Sequence, residues 1–214
     1  MNSCLVVGGT GLVGKHLVKE LEASNDFDLV YVLVRKKQFT GTKKTKEIFF
    51  DFTDKERIQT LEPVNHVFCC LGTTIKKAGS KANFIQVDHD YPLAFAAAAK
   101  KWESSIFSII TAAGVSPESK IFYNNVKGQL EKKLKSLELF STLIFRPSLL
   151  LGERKEFRLG EKIGSGIAKV TSWMTPKTYR AIHCKAVAKA MLAESFADKT
   201  GFNIISNKSM HRFS

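Results

Sequence analysis

Cys4-Leu5-Val6-Val7-Gly8-Gly9-Thr10-Gly11-Leu12-Val13-Gly14 is an apolar run that passes directly into a glycine-rich turn. The run predicts a buried strand, and apolar residues at helical spacing over 12–23 predict the helix that follows it. In this context Gly8 permits a tight turn, Gly11 lets the backbone approach a pyrophosphate, and Gly14 lets the helix pack closely on the sheet. The positive end of the helix dipole would face the phosphates. The stretch therefore predicts a dinucleotide-binding turn that comprises Gly8, Thr10, Gly11, Leu12, Val13 and Gly14.

Length and composition predict one domain over residues 1–214. The chain is 44% hydrophobic, which is enough for one sizeable core, and its 214 residues are few for two independent domains. No run of about 18 apolar residues is present, and a predicted strand begins close to the N-terminus. We therefore expect neither a membrane span nor a signal peptide, and we expect a cytoplasmic protein.

The charge and the metal-binding residue types narrow the classes of partner. The formal net charge of +13 suits an anionic partner such as nucleic acid, a membrane surface or a phosphorylated ligand. The lysines occur in short clusters without an RNA-binding aromatic signature, so solvated basic surfaces explain the charge better than a nucleic-acid partner does. The four cysteines lack C-x-x-C spacing and the five histidines form no pair at helical spacing. We therefore expect reduced cysteines and no metal site.

Strand and helix patterns alternate along the rest of the chain. This alternation predicts an α/β fold of the Rossmann type, a doubly wound parallel sheet with helices on both faces. Residues 151–183 would form a small lid and substrate region within the single domain. The predicted strands cover 27–35, 48–51, 66–71, 105–111, 141–146 and 202–205, and the predicted helices cover 91–101, 122–137 and 186–195.

The end of the second predicted strand carries Arg35 and Lys36. In dinucleotide sites that prefer NAD, this position holds a carboxylate that binds the ribose hydroxyl and repels a 2′-phosphate. A guanidinium instead forms a charge-assisted, bidentate pair with that phosphate. Arg35 therefore favours NADP(H), and the alternative is a solvated basic loop in a lysine-rich chain.

Two further strand ends carry candidate cofactor contacts. Asp51 closes the third predicted strand, where its carboxylate can accept from the adenine amino group or can equally cap a turn. Leu71, Gly72 and Thr73 close the fourth strand and offer a close backbone approach for the ribose and nicotinamide. Both segments belong at the carboxyl edge of the sheet, which is where ligands bind in this architecture.

Tyr123 and Lys127 are the candidate catalytic pair. Residues four apart share one helix face, so the ammonium can lie near the phenol and favour its ionised form. This arrangement makes a tyrosine usable as an acid or base. Thr111 ends the fifth predicted strand and supplies a hydroxyl that can orient a substrate oxygen. The alternative is an ordinary surface pair on a lysine-rich helix.

At this point the chain resembles the short-chain dehydrogenase/reductase superfamily, and specifically its atypical branch, which includes the HIV Tat-interacting protein and its bacterial relatives. The resemblance covers most of the chain, from Leu5 to about Met191. The motifs that carry it are the glycine run, Val34-Arg35-Lys36, Cys69-Cys70-Leu71-Gly72-Thr73-Thr74, Val87-Asp88-His89-Asp90-Tyr91, Phe122-Tyr123 with Val126-Lys127-Gly128, and Ile144-Phe145-Arg146-Pro147.

The resemblance implies a Rossmann-type fold that binds NADP(H), with Tyr123 as proton donor or acceptor and Lys127 holding the nicotinamide ribose. The superfamily has a serine pair at the end of the fifth strand, whereas this chain has Thr111-Ala112. If the required hydroxyl belongs at Ala112, catalysis is weakened or absent. The positions that the resemblance assigns to cofactor contact are Gly8, Gly11, Gly14, Arg35, Lys36, Leu71, Gly72, Tyr123, Lys127, Leu150 and Arg158.

The leading hypothesis is an NADP(H)-dependent oxidoreductase that transfers hydride to or from a carbonyl or alcohol substrate. Two alternatives stay open: a non-catalytic NADP(H)-binding regulator with a protein partner, and a redox-neutral epimerase or isomerase. The segment after Pro147, with Trp173, Met174 and Tyr179, would supply an apolar lid with a cationic rim. The same residues would serve equally as a partner-binding surface.

Overall fold

A seven-stranded parallel sheet forms the centre of the molecule in the computed structural model, which describes residues 1–37, 43–54, 56–152 and 178–214. The strand order is β3-β2-β1-β4-β5-β6-β9, and every neighbouring pair is parallel. A separate parallel ribbon pairs β7 with β8. The strands are β1 Ser3–Val7, β2 Leu29–Val34, β3 Thr45–Phe49, β4 His66–Cys69, β5 Ile106–Ile110, β6 Ser141–Arg146, β7 Leu150–Leu151, β8 Ile182–His183 and β9 Gly201–Ser206.

Helices connect the strands and cover both faces of the sheet. A π-helical turn, Gln86–Asp90, joins α3 to α4 without a break. Two 3-10 helical turns cover Glu56–Thr60 and His211–Phe213. The α-helices are α1 Gly14–Ala23, α2 Ile75–Ala78, α3 Lys81–Ile85, α4 Tyr91–Lys101, α5 Phe122–Ser136, α6 Cys184–Glu194 and α7 Asn207–Met210.

The hydrophobic core has two halves, one on each face of the sheet. Successive residues of a strand point to opposite faces. In β1, Cys4 and Val6 pack with side chains of α1 and α6, whereas Leu5 and Val7 pack with side chains of α4 and α5. Because both faces are buried, the strands read as continuous apolar runs. The predicted Rossmann-type, doubly wound fold is confirmed.

Some element bounds differ from the predicted ones. The third strand is Thr45–Phe49 and not 48–51, because its backbone pairs with β2 from Thr45 onward while its edge position leaves polar side chains exposed. The apolar pattern therefore understated its length. Helix α1 begins at Gly14 and not at residue 12, since the preceding turn is closed by the Gly11 amide, which donates to the Gly8 carbonyl at 3.0 Å.

The strand order reverses between β1 and β4. The chain runs from β1 outward to β2 and β3, then returns to place β4 on the other side of β1. A crevice opens at the carboxyl ends of the two strands at such a switch point, and ligands of open α/β sheets bind there. The residues that follow β1 and β4, Gly8 and 70–73, therefore line the expected ligand crevice. None of the described helices is both long enough and apolar enough to cross a bilayer.

His66 gives the fold a pH-sensitive position at the start of β4. Its ring lies 5.1 Å from that of Phe27 and 5.6 Å from that of Phe196, and its Nδ1 has no hydrogen-bond partner among the described residues. Burial lowers the pKa of His66 from 6.5 to about 4. As the pH falls, the unfolded chain therefore binds a proton at this histidine at a higher pH than the folded chain does. The free energy of unfolding decreases as the pH falls from 6.5 toward 4.

We expect the free energy of unfolding to fall by about 2 kcal/mol from this group between roughly pH 8 and pH 5. His66→Phe keeps an aromatic ring in the cluster and removes the titration, so its free energy of unfolding should depend less on pH. Urea unfolding of both proteins at the two pH values tests this. An equal pH dependence in wild type and variant contradicts it.

Candidate active site

The glycine turn after β1 has no room for side chains at its first and last glycines. Gly8 has a φ of +83°, and an added Cβ would lie 2.8 Å from the carbonyl carbon of Cys70. At Gly14 an added Cβ would lie 2.2 Å from the Gly8 carbonyl oxygen. The first contact places the end of β1 against the backbone that follows β4, and the second places the start of α1 against the turn. The shape fits a dinucleotide pyrophosphate, which needs a close backbone approach at the start of a helix.

Gly9 was missed as a structural requirement by the sequence analysis. An added Cβ would lie 2.4 Å from Cγ1 of Val32 in β2, so only glycine fits between the turn and that strand. Thr10 is exposed, while Leu12 and Val13 pack against the α1 and α6 half of the core. The adjacent glycines Gly8 and Gly9 were the sequence signal for this requirement, because a different neighbour leaves no room for a side chain at each of them.

The end of β2 places two basic side chains in solvent beside the switch point. Arg35 and Lys36 follow Val34 directly and are exposed, so their charged groups are available to a ligand. Asp51 lies one strand further out. Its Oδ1 accepts from the backbone N–H and the hydroxyl of Thr53, at 2.9 and 2.8 Å, and the backbone hydrogen bond lowers the pKa of Asp51. Asp51 therefore caps a turn, which is one of its two predicted roles. The other role, a contact with the adenine amino group, stays a prediction.

Leu71, Gly72 and Thr73 continue β4 along the crevice. Gly72 is exposed, and the Thr73 amide donates to Oδ2 of Asp88 at 2.7 Å. An added Cβ at Gly72 would lie 3.6 Å from Oδ1 of the same carboxylate, which is an ordinary contact. The side chain of Asp88 therefore holds this loop in place. The sequence analysis assigned no role to Asp88.

Tyr123 and Lys127 lie one turn apart near the start of α5, with Nζ of Lys127 5.5 Å from the centroid of the Tyr123 ring. Lys127 is 4% exposed, and its Nζ lies 2.9 Å from Oδ1 of Asp88. Burial lowers the pKa of Lys127, but the charges of Tyr123 and Asp88 outweigh burial and the net shift is upward. Lys127 is therefore a protonated ammonium at neutral pH, next to the phenol.

Thr111 follows β5 but its hydroxyl faces a different partner from the one expected. Oγ1 donates to Oε1 of Glu131 at 2.7 Å, and both side chains are buried. Arg146 completes the group, since its Nε and Nη2 donate to the same carboxylate. The structure thus places the Thr111 hydroxyl in a network with α5 and β6, where the Glu131 carboxylate accepts its hydrogen bond. Ala112, the next residue, is half-buried and carries no hydroxyl.

The β7–β8 ribbon returns the chain to the glycine turn. Leu150 packs against the α1 and α6 half of the core. An added Cβ at Gly152 would lie 2.6 Å from Sγ of Cys184 and 2.8 Å from Cδ1 of Leu12. The start of the predicted 151–183 lid therefore lies beside the candidate cofactor crevice. Arg158, Trp173 and Met174 lie outside the described residues, and Tyr179 is exposed.

Within the described residues, no three His, Cys, Asp or Glu side chains are grouped closely enough to hold a metal ion. Burial raises the pKa of Cys69 to about 12, so this thiol is not a thiolate at neutral pH. The chemistry of the described site is therefore that of a phenol, an ammonium and carboxylates around a backbone cradle.

The strand order, the switch-point crevice and the glycine cradle define a protein of the Rossmann-type dinucleotide-binding class. Residues 4–179 match the NAD dependent epimerase/dehydratase family. The chain belongs to this family.

Sequence relatives confirm the resemblance to the atypical branch. "Protein FMP52, mitochondrial" from Eremothecium gossypii is 36% identical over 166 residues, which cover 78% of this chain and 73% of that protein. "Protein HTATIP2" from Rattus norvegicus is 34% identical over 163 residues, which cover 74% of this chain and 67% of that protein. Among solved structures, MoeE5 in complex with UDP-glucose and NAD has a TM-score of 0.72 at 14% identity, covering 98% of this chain and 79% of that one. This last similarity supports the fold.

The prediction of a cytoplasmic protein is wrong. The relative from Eremothecium gossypii and those of the same name from Lodderomyces elongisporus and Coccidioides immitis are named as mitochondrial. The prediction rested on one criterion, the absence of a long apolar run from the chain together with a predicted strand that begins close to the N-terminus. That criterion tests for membrane spans and secretory signals, and it does not separate the cytoplasm from other compartments.

Two glycines with nearly the same positive φ test the importance of the β1–β4 contact. Gly8 and Gly79 have φ values of +83° and +81°, but an added Cβ at Gly79 meets nothing within 4 Å. We expect Gly79→Ala to cost about 1 to 2 kcal/mol of unfolding free energy, the price of the left-handed conformation alone. Gly8→Ala should cost about 3 kcal/mol or more, because it also overlaps the Cys70 backbone. Urea unfolding of both variants measures the difference, and equal losses contradict it.

Proposed function

We propose that this protein is an NADP(H)-dependent oxidoreductase that transfers hydride between the cofactor and a carbonyl or alcohol substrate. The observation that carries the proposal is the position of Tyr123 and Lys127. A buried ammonium lies beside a half-buried phenol at the carboxyl edge of a sheet whose switch point holds a glycine cradle. A tyrosine next to a fixed positive charge is suited to exchange a proton with a substrate oxygen.

The residues at the strand ends fit the cofactor. The backbone at Gly8, Gly11 and Gly14, with the first turn of α1, would hold the pyrophosphate, and Leu71 and Gly72 would lie along the ribose. Lys127 would bind the nicotinamide ribose hydroxyls. Leu12 and Leu150 pack against the same half of the core, and Gly152 lies against Leu12.

Arg35 and Lys36 support NADP(H) rather than NAD(H). Both are exposed at the end of β2, and neither is a carboxylate that would repel a 2′-phosphate. A guanidinium matches the geometry of a phosphate with two parallel hydrogen bonds. The preference therefore rests on Arg35, with Lys36 as a second positive charge.

The proton step falls to Tyr123. When bound, the nicotinamide would supply or accept the hydride at the substrate carbon. In the reducing direction, Tyr123 donates its phenolic proton to the carbonyl oxygen, and the adjacent Lys127 stabilises the phenolate that forms. In the oxidising direction the phenolate takes the proton of the alcohol. Thr111 is given no part in this step, because its hydroxyl donates to Glu131. The contact of Thr111 with a substrate oxygen stays a prediction.

A redox-neutral epimerase is the second candidate, and the family match favours it. The same tyrosine and lysine would serve a cycle in which the hydride leaves the substrate and returns to its other face. The two candidates differ in the fate of the cofactor. A reductase converts NADPH to NADP⁺ in proportion to product, whereas an epimerase ends each cycle with the cofactor unchanged.

Arg35→Asp tests the cofactor assignment. We expect the dissociation constant for NADPH to rise about tenfold or more, as for the loss of a charge-assisted hydrogen bond, while binding of NADH is unchanged or stronger. Lys135→Asp makes the same change of charge at an exposed position about three turns further along α5 than Tyr123, so it controls for net charge. Fluorescence titrations of the three proteins with both nucleotides give the result. Equal weakening by the two variants contradicts the assignment.

Tyr123→Phe tests the catalytic assignment. We expect kcat to fall by about 10²-fold to 10⁴-fold, which is typical for the loss of a general acid or base. The affinity for NADPH should change little, because the ring is kept. Tyr31→Phe, on β2, is the control for loss of a phenol elsewhere. The assay follows NADPH consumption and substrate conversion with a panel of carbonyl compounds. Full activity in Tyr123→Phe, or no conversion by the wild type, overturns the proposal.

A further inference from the structure

Asp88 connects two parts of the candidate site that come from different strands and helices. Its Oδ1 lies 2.9 Å from Nζ of Lys127, and its Oδ2 accepts from the amide of Thr73 at 2.7 Å. The carboxylate is 0% exposed and Lys127 is 4% exposed, so water competes little with either contact. One buried side chain therefore holds both the ammonium beside Tyr123 and the loop that follows β4.

The local backbone around Asp88 is unusual. It is the middle residue of the π-helical turn Gln86–Asp90, inside an otherwise α-helical run. Such turns are rare and occur mostly as single turns within helices, frequently at functional sites. The preceding helix contributes Phe84, whose ring lies 5.6 Å from that of Tyr123. The same segment thus contacts both members of the candidate catalytic pair.

Stability alone does not account for this ion pair. Removing two charges from water costs free energy that their attraction only partly returns, and apolar replacements of buried pairs are often neutral or stabilising. The pair does fix one arrangement, because a buried charge that loses its partner is strongly unfavourable. The ion pair therefore contributes a fixed geometry for Lys127 and for the loop after β4.

We infer that Asp88 is a positioning residue, which holds Lys127 beneath Tyr123 and ties it to the Gly72–Thr73 loop. The inference rests on the proposed function for the meaning of Tyr123 and Lys127. An ammonium has three N–H donors. The ion pair with Asp88 holds the ammonium in place and leaves donors for ribose hydroxyls and the phenolate. Binding at the loop and proton transfer at Tyr123 then depend on the same carboxylate.

The titratable groups that face Lys127 come from three elements: Tyr123 on its own helix, Asp88 on the π-helical turn, and Cys69 at the end of β4. Burial acts to lower the pKa of Lys127, and the Tyr123 and Asp88 charges act to raise it. Asp88→Asn removes one of these charges. Its amide also replaces one of the two carboxylate oxygens by an NH2 group, so a donor would face either Lys127 or the Thr73 amide.

The first experiment follows the protonation of Lys127 by NMR of its ε-carbon, assigned with Lys127→Met, in the protein without nucleotide. We expect the wild-type midpoint to lie above the ordinary lysine value of about 10.4. Asp88→Asn should lower the midpoint. Asp90→Asn should leave it unchanged, because that carboxylate is 39% exposed and contacts His89. Equal midpoints in wild type and Asp88→Asn overturn the inference.

The second experiment measures NADPH affinity. We expect Asp88→Asn to bind about tenfold more weakly than wild type, and Asp90→Asn to bind as wild type does. Equal affinity in Asp88→Asn and wild type counts against the inference. If Asp88→Asn does not fold, the wild-type titration decides, since a midpoint below the ordinary lysine value overturns the role of Asp88. A wild type that binds no NADPH overturns the proposed function, and the Lys127 titration still decides the role of Asp88.

Discussion

The close approach between the end of β1 and the end of β4 is the constraint on which the rest of the site depends. At Gly8 the backbone of one strand comes so near the Cys70 carbonyl of the other that a methyl group does not fit. This contact sets the width of the switch-point crevice and aims the first turn of α1 at it. A site for a pyrophosphate is thus made largely of main chain, and neighbouring side chains add selectivity around it.

A second layer of organisation comes from buried carboxylates under the carboxyl edge of the sheet. Asp88 holds Lys127 and the loop after β4, while Glu131 holds Thr111 and Arg146. Each carboxylate accepts from groups on different elements, so each fixes a distance that neither element sets by itself. The two networks have different consequences. The Asp88 network leaves the ammonium of Lys127 beside Tyr123, whereas the Glu131 network accepts the hydrogen bond of the Thr111 hydroxyl.

The sequence predicted the features that depend on local spacing. The glycine turn, the four-residue separation of Tyr123 and Lys127, and the buried strands all follow from short patterns, and the fold they imply is confirmed. The hydroxyl of Thr111 could not be placed in this way, because its partner Glu131 lies 20 positions away on α5. The contact between Asp88 and Lys127 was missed for the same reason. Edge strand β3 was placed too late because its exposed side chains weaken the apolar pattern.

Pairing Lys127 with Asp88 also separates the site's electrostatics from those of the surface. The two buried charges cancel at a distance, so they add little to the field that an approaching anion meets. That field comes from exposed cations such as Arg35 and Lys36, in a chain of net charge +13. Dissolved salt screens exposed charges strongly and buried pairs much less. Ionic strength therefore acts on the capture of an anionic ligand, while the geometry beside Tyr123 is insulated from it.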